Sequence, residues 1–180
     1  MNMKKKSYDA YFYLSFAHAA HGGSRRAKWT SLCAFKTSLK QDDAQICVAY
    51  NMILAALNQG LAVDVVVDAD GINTFKMGWF SDKDSIQDYK IPENLRRALF
   101  TQLDMPLNQI PETYGDYLIT LHKEGARFYV NKGFLIVSDI APEPDKDMGE
   151  IADYAKKIFK PVSLQEMLDL RRQADFDYTY

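Results

Sequence analysis

The chain has 180 residues and a formal net charge of −2, and 47% of its residues are apolar and 13% aromatic. This content is enough to bury a core in a single domain, and it excludes a disordered or fibrous protein. A net acidic chain lacks the basic face that nucleic-acid binding requires, so we expect no nucleic-acid partner. No apolar run approaches the roughly 18 residues of a membrane span, so we expect none.

Residues 1–28 differ in charge from the rest of the chain. They carry six basic residues against Asp9 alone, although the whole chain is acidic. We interpret them as a basic N-terminal extension, or as an extra strand from Tyr8 to Phe16, ahead of a domain over 29–180. The segment also imitates a secretory signal, but Asp9 interrupts its apolar stretch. We therefore expect a cytoplasmic protein, with export as the alternative.

The first part of the predicted domain is a strand, a helix and a second strand. Trp29–Leu39 suits a strand, and the polar residues 41–43 mark a helix N-terminus, where exposed N–H groups favour carboxylates. Apolar residues recur at helical spacing up to Gly60, which supplies a left-handed stop. The nearly continuous valines over 63–67 predict a parallel strand buried on both faces. The three elements form one βαβ unit.

A long connection, Asn73–Lys90, follows this unit and contains four aromatic residues, of which Phe75, Trp79 and Phe80 lie close together in the sequence. Loops of this length in compact domains are usually lids, binding loops or contact surfaces. Large apolar side chains in such a loop are costly to leave in water. We expect these three aromatic residues to form a ligand lid or an oligomer contact.

The middle of the chain predicts three helices and one strand. Pro92 and Pro111 each open a helix in the first-turn position. The strand Arg127–Val130 follows, and local chemistry leaves two interpretations of the next residues. Phe134–Val137 forms either a second strand, with 131–133 as a hairpin turn, or the start of a buried helical turn. A short helix then packs through three residues: Ile151, Tyr154 and Ile158.

The C-terminal part predicts a strand, a helix and a final strand. Ser163 and Glu166 form a capping box at the helix start. The helix is apolar at four positions: Leu164, Met167, Leu168 and Ala174. The last five residues read as a strand. Strands that alternate with helices predict an α/β fold, a three-layer sandwich around a mostly parallel sheet of about five strands.

Four segments follow one another along the chain: AYNMILAALNQG, LAVDVVVDADGI, KEGARFYVNKGFL and VSLQEMLDLRRQADFDYTY. In this order they resemble the DsrE/DsrF-like family of small sulfur-relay domains. The resemblance covers 29–180, with an enlarged aromatic loop and an insertion around Pro142–Lys157. It implies a DsrE-like sandwich with flavodoxin-type winding and a helix after the strand Arg127–Val130. It also implies a homo-oligomer, either a trimer or a hexamer.

The resemblance also implies where a functional site lies. The family carries sulfur on a cysteine at the end of its third strand, where a helix N-terminus stabilises the thiolate. The matching residue here is Asn131, which cannot carry sulfur. We expect a crevice that keeps its shape without its nucleophile and that binds a ligand through five residues: Asn131, Lys132, Gly133, Asp68 and Asp70.

Simpler interpretations of these residues stay open. Asp68 and Asp70 follow a parallel strand, and the carboxyl ends of such strands face the ligand crevice of an α/β sheet. Their sequence, Asp-Ala-Asp-Gly, is equally typical of a turn. Asn131 and Gly133 are common turn and cap residues as well.

The resulting hypothesis is a homo-oligomeric binding or assembly protein, with a small ligand or a protein as its partner and with no cofactor or metal. This hypothesis favours a non-enzymatic role. The alternative is a sulfurtransferase or sulfur-relay protein that serves a relay partner through a relocated thiol, with Cys47 the better candidate and Cys33 the weaker. The alternative requires an accessible thiol of lowered pKa, whereas a buried cysteine is commonly a small hydrophobe.

Overall fold

The computed structural model describes residues 29–79 and 86–180. Within these residues the core is one sheet of five parallel strands in the order β4-β3-β2-β1-β5. The strands are β1 (Thr30–Phe35), β2 (Ala62–Val67), β3 (Arg127–Asn131), β4 (Phe159–Val162) and β5 (Phe176–Thr179). The predicted α/β fold with a parallel sheet of about five strands is confirmed.

Helices connect these strands throughout the described part of the chain. The α-helices are α1 (Asp43–Asn58), α2 (Glu93–Leu103), α3 (Tyr114–Lys123), α4 (Lys132–Val137), α5 (Asp153–Lys156) and α6 (Leu164–Gln173). Two short 3₁₀ helices lie at Ala69–Phe75 and Leu107–Gln109. None of the helices in 29–79 and 86–180 is both long enough and apolar enough to cross a membrane.

Several helix ends follow the signals in the sequence. The side chain of Asp42 accepts a hydrogen bond from the backbone N–H of Gln45 at 2.9 Å and caps α1. Gly60 follows this helix with a φ of +79°, a left-handed conformation that glycine adopts without strain. The predicted capping box between Ser163 and Glu166 opens α6. These three signals are local, and each one is confirmed.

Alternate strand residues build two cores of unequal size. Val65 and Phe128 belong to the larger core, on the first face of the sheet, which α1 to α5 cover. Val66 and Val162 belong to the smaller core, on the second face, where they pack against α6. The described residues therefore form three layers, with one helix alone on the second face.

The strand order explains why α6 is alone. From β1 to β4 each new strand adds to the same side of the sheet, and the connecting helices lie on the first face. The chain then returns through α6 to place β5 beside β1, and a right-handed crossover in the opposite direction lies on the opposite face. The sheet therefore shares with flavodoxin the placement of connecting helices on both faces. The strand order differs, because flavodoxin has the order 2-1-3-4-5.

This winding creates a switch point at the carboxyl ends of β3 and β4. The two strands are neighbours, but the chain leaves β3 toward the first face and leaves β4 toward the second. In open α/β sheets the crevice between two such connections is where ligands bind. The residues at this point are Asn131, which ends β3, and Ser163, which follows β4.

Some predicted boundaries were wrong. The helix assigned to Pro111 begins at Tyr114, because the Thr113 side chain accepts the backbone N–H of Asp116 at 3.0 Å and caps the helix there. The first strand ends at Phe35 rather than at Leu39.

The apolar face predicted for α6 was wrong in part. Met167 is buried, and Leu170 and Ala174 pack beside it against the sheet. Leu164 and Leu168 are 65% and 55% exposed. Because α6 is alone on its face, only the row at positions 167, 170 and 174 meets the sheet, and no neighbouring helix covers the flank in the described residues.

Predictions for two segments fall outside the described residues. Residues 1–28 include the expected strand Tyr8–Phe16 and the signal-like pattern, and residues 80–85 include Phe80. The division into an extension over 1–28 and a domain over 29–180 therefore stays a prediction.

Candidate functional site

Asn131 lies at the junction between a strand and a helix, so the hairpin alternative is wrong. β3 ends at Asn131 and α4 begins at the next residue. Its side-chain Oδ1 accepts the backbone N–H groups of Gly133 at 2.9 Å and Phe134 at 3.3 Å. Capping of this kind satisfies donors that a helix start leaves free. The amide oxygen thus occupies the place where these N–H groups would stabilise an anion.

Asn131 also joins β3 to β2. Its Nδ2 donates to Asp68 Oδ1 at 2.7 Å, and the backbone N–H of Ala69 donates to the same oxygen at 2.8 Å. Ala69 has a φ of +47°, a left-handed conformation that costs a residue other than glycine about 1 kcal/mol. Asn131 itself is 7% exposed, so both polar atoms of its side chain are buried with partners inside the chain.

Asp70 belongs to the turn on the β1 side rather than to the contact with Asn131. Its Oδ2 accepts the backbone N–H of Ser38 at 3.1 Å, and its Oδ1 accepts Nδ2 of Asn73 at 2.9 Å. These bonds tie the loop after β1 to the 3₁₀ helix after β2. Across residues 29–79 and 86–180, no group of three or more His, Cys, Asp and Glu side chains is placed to hold a metal.

Lys132 and Gly133 complete the start of α4. Lys132 Nζ lies 3.0 Å from one carboxylate oxygen of Asp145 and 3.1 Å from the other. A Cβ atom added at Gly133 would lie 3.2 Å from Asn131 Oδ1, so the absence of a side chain leaves room for the cap. The structure thus brings Asn131, Lys132, Gly133 and Asp68 together at one edge of the sheet.

The second face of the sheet holds a cleft directly beside Asn131. Tyr129 on β3 pairs with Lys160 on β4, and the next pair along these strands is Asn131 with Val162. Helix α6 covers these pairs from above. The cleft has a volume of about 190 Å³ and is lined by seven residues: Tyr129, Lys160, Val162, Glu166, Asp169, Leu170 and Gln173. We call it the α6 cleft. It lies on the second face of β3 and β4, and Asn131 is the neighbour of its lining residue Val162 in the strand register.

The sequence analysis missed the residues of the α6 cleft. One signal was available, because Tyr129 and Lys160 carry polar ends while their neighbours Phe128 and Phe159 are buried. Alternation of this kind indicates a strand face that is partly open. The position of α6 over these two strands was not derivable from local pattern, so the signal did not predict a cleft.

Hydrogen bonds and burial set the charges around the α6 cleft. The backbone N–H and hydroxyl of Ser163 hold the pKa of Glu166 below its usual value, and Lys160 and Lys132 lower it further. Burial raises the pKa of Tyr129, and the nearby carboxylate of Asp64 raises it as well. Glu166 is therefore a carboxylate and Tyr129 a neutral phenol at neutral pH.

The two cysteines lie in the core rather than at the cleft. Cys33 and Cys47 are each 2% exposed. Burial and the nearby Asp43 raise the pKa of Cys47 to about 11. Burial and Asp177 raise the pKa of Cys33 further. A reactive thiol needs access and a lowered pKa, so the environments of both residues favour inert packing.

Phe75 and Trp79, the two described residues of the predicted aromatic contact, do not form one surface. Phe75 is buried at the end of the 3₁₀ helix, and its ring meets that of Phe159 edge to face at 4.7 Å. Trp79 is half-buried under Lys40, whose Nζ donates to the Trp79 carbonyl oxygen at 3.1 Å and lies 5.3 Å from the ring centre. Phe80 lies beyond the described residues.

Comparison with known proteins shows the fold alone. No protein-family model and no curated protein matches the chain. Among solved structures, the ychN protein from E. coli is similar, with a TM-score of 0.50 and 12% identity over 86% of this chain and 100% of that chain. MTH1491 from Methanobacterium thermoautotrophicum, a protein of unknown function, gives a TM-score of 0.50 and 11% identity over 85% and 100% of the two chains. The chain thus has a DsrE-like fold.

Proposed function

We propose that this chain is a ligand-binding protein with a DsrE-like fold, which uses the switch point between β3 and β4 as its site and lacks the sulfur-carrying thiol. The ligand site comprises the α6 cleft and the adjacent edge formed by Asn131, Lys132 and Asp68. The role is binding, not catalysis by a nucleophile.

The environment of Asn131 carries this proposal. At the position that matches the family's cysteine, an amide oxygen accepts the two backbone N–H groups that open α4. The nitrogen of the same amide is bonded to Asp68. An amide cannot carry sulfur, and its partners fix its orientation. A cleft on the second face of β3 and β4 lies next to this edge, through the register pair of Asn131 with Val162.

The cysteines give no support to a relocated thiol. Cys47 and Cys33 are buried, and burial is the largest cause of the raised pKa of each thiol. A thiolate at either position would be desolvated and would lie near a carboxylate, that of Asp43 for Cys47 and that of Asp177 for Cys33. We therefore do not propose sulfur transfer through Cys47.

Thiol accessibility tests the proposal. We expect both cysteines of the native protein to resist iodoacetamide over hours and both to react at once in urea, as measured by intact mass. Cys33→Ser and Cys47→Ser variants assign each adduct. Fast modification of Cys47 in the native state, with a pKa below 9, would contradict a role without a thiol.

We also propose that the chain self-associates through the exposed flank of α6. Leu164 and Leu168 are one turn apart and together form an apolar strip. Burial of one leucine side chain contributes about 2 kcal/mol, so covering both leucines would stabilise a complex with a partner. The resemblance to homo-oligomeric domains supports a second copy as that partner.

Sedimentation measures the oligomeric state directly. We expect the wild-type chain to sediment as an oligomer and the double variant Leu164→Gln, Leu168→Gln to sediment as a monomer. Leu107→Gln is a matched control, because Leu107 is also exposed but lies far along the chain on a 3₁₀ helix. A wild-type protein that stays monomeric at high concentration would contradict self-association.

A further inference from the structure

We infer that residues 8–16 of this chain dock on the outer edge of β5 as a sixth strand of the sheet, antiparallel to β5. This edge lies at the opposite end of the sheet from β3 and β4, so the docking is independent of the proposed ligand site. Three features of the molecule support the docking: the free edge of β5, the exposed aromatic rings beside it, and the sequence and reach of the segment ahead of Trp29.

The outer edge of β5 presents backbone groups that have no neighbouring strand. In the described part of the chain β5 pairs with β1 alone. The N–H of Tyr180 donates to the carbonyl oxygen of Ala34 at 2.8 Å, and its own carbonyl oxygen accepts the N–H of Lys36 at 2.7 Å. Because backbone groups alternate in direction along a strand, those of Asp177 and Thr179 face outward. Such an edge is a template for a further strand.

The opposite edge of the sheet is less suited to a further strand. Pro161, the third residue of β4, has no backbone N–H. Proline occurs in edge strands with its nitrogen toward solvent, so the outer edge of β4 lacks a donor there. β5 contains no proline. One edge of the sheet is therefore blunted, and the other can be extended.

Exposed aromatic rings lie beside the free edge of β5. Trp29 is 60% exposed, and its ring stacks on that of Phe176 at 5.5 Å between the ring centres. Tyr178 is 37% exposed. Its register partner Cys33 belongs to the core on the first face, so Tyr178 and Phe176, two positions apart, both project on that face. A strand added at this edge would cover these rings with its own apolar side chains.

Residues 8–16, YDAYFYLSF, have the pattern of a strand with one apolar face. Aromatic residues are frequent in strands, and alternation of period two indicates a strand that is buried on one side. In this strand one set of alternate residues is apolar and shares a face: Tyr8, Ala10, Phe12, Leu14 and Phe16. We expect that face to pack beside Phe176 and Tyr178.

The connection to β1 favours the antiparallel direction. An antiparallel strand outside β5 ends at the edge of the sheet where β1 begins, about 10 Å away across two strand spacings. Residues 17–28 can span up to about 40 Å and cover this distance easily. A parallel strand would require the same residues to return along the whole sheet, a role that a helix usually fills. Gly22 and Gly23 disfavour a helix there.

Charge agrees with this placement. Asp175 is exposed at the start of β5, and its Oδ2 accepts the backbone N–H of Thr30 at 2.8 Å. Arg25 and Arg26 precede Thr30 by only a few residues, so the basic end of the connection lies at the same edge as this carboxylate. An exposed pair adds little stability, but opposite charges here favour the docked arrangement over a segment held elsewhere.

Hydrogen exchange of the ¹⁵N-labelled full chain tests the docking by NMR. We expect the amides of Asp177 and Thr179 to exchange at least about tenfold more slowly in the wild type than in the double variant Phe12→Pro, Tyr13→Pro. Two adjacent prolines are chosen because one of any two neighbouring residues must direct its N–H toward β5. Nuclear Overhauser contacts between residues 8–16 and β5 in the wild type should show antiparallel pairing.

A matched control keeps the test specific. Ala19→Pro, Ala20→Pro introduces two prolines outside the proposed strand and should leave the protection of β5 unchanged. The central strand β2 should stay protected in both double variants, which shows that each chain is folded. Equal exchange at Asp177 and Thr179 in the wild type and in Phe12→Pro, Tyr13→Pro would overturn the docking. Protection that is lost on dilution would also overturn it, because a second copy would then cover the edge.

Discussion

Asn131 and Asp68, which lie 63 positions apart in the chain, share a hydrogen bond of 2.7 Å that links the carboxyl ends of β3 and β2. Asn131 Oδ1 meanwhile caps α4. One side chain therefore fixes the start of a helix and the position of a turn on the neighbouring strand.

Loss of this side chain should destabilise the fold. Asn131→Ala removes a helix cap and the contact to Asp68, so we expect the free energy of unfolding to fall by about 1 to 2 kcal/mol. Urea denaturation followed by circular dichroism measures the change. Asn58→Ala, at the exposed end of α1, is the control and should change stability by less than about 0.5 kcal/mol. Equal effects of the two variants would contradict the role assigned to Asn131.

A carboxylate at the same position should make stability depend on pH. In Asn131→Asp, two carboxyl groups meet where the wild type has a hydrogen bond to Asp68, so the folded-state pKa of one of them rises. The unfolded chain then loses this proton at a lower pH than the folded chain does. Stability relative to the wild type should therefore be greatest below about pH 4 and should decline as pH rises toward neutrality. Urea midpoints across this range check the sign of the change.

Alkaline pH should destabilise the wild-type chain. Burial raises the pKa of Cys47 to about 11 and raises the pKa of Tyr50, Tyr114 and Tyr117 above the ordinary tyrosine value. These groups stay protonated in the folded state where the unfolded chain has already ionised. Their contribution is complete below pH 9 and is lost as pH rises through 9 to 11 and beyond. The denaturation midpoint in urea should fall over this range. A midpoint that does not change with pH would contradict the burial of these four groups.

The turn after β2 should not accept a side chain at Gly71. A Cβ atom there would lie 2.8 Å from the carbonyl oxygen of Phe35 at the end of β1. Because that neighbour is backbone, the turn must shift to admit it, and we expect Gly71→Ala to lower the free energy of unfolding by about 1 to 3 kcal/mol. A thermal melt measures the loss of stability. Unchanged stability would contradict the close approach of Gly71 to the backbone of β1.

Most of the fold was predictable because its signals are local. The valines of β2, the Asp42 cap, Gly60 and the Ser163–Glu166 capping box each specify an element within a few residues. Local pattern alone could not separate a hairpin from a helix after Asn131, because an asparagine suits either one. The resemblance to the DsrE/DsrF-like family indicated the helix, and that prediction is confirmed.

The candidate site was less predictable because it depends on contacts between distant segments. The pair Asn131 and Asp68, and the α6 cleft beside Tyr129 and Lys160, arise only when strands align and α6 crosses the second face. The exposure of Leu168 has the same origin, because an apolar pattern on a helix does not state how many neighbours the helix has.

The most direct test of the central claim is the intact mass of the native chain after exposure to a persulfide donor. The wild type should gain no sulfur. Both cysteines should gain sulfur once urea unfolds the chain, which shows that the donor is active. A sulfur atom gained by the wild type and lost in Cys47→Ser would contradict the claim that Asn131 replaced the chemistry of this site.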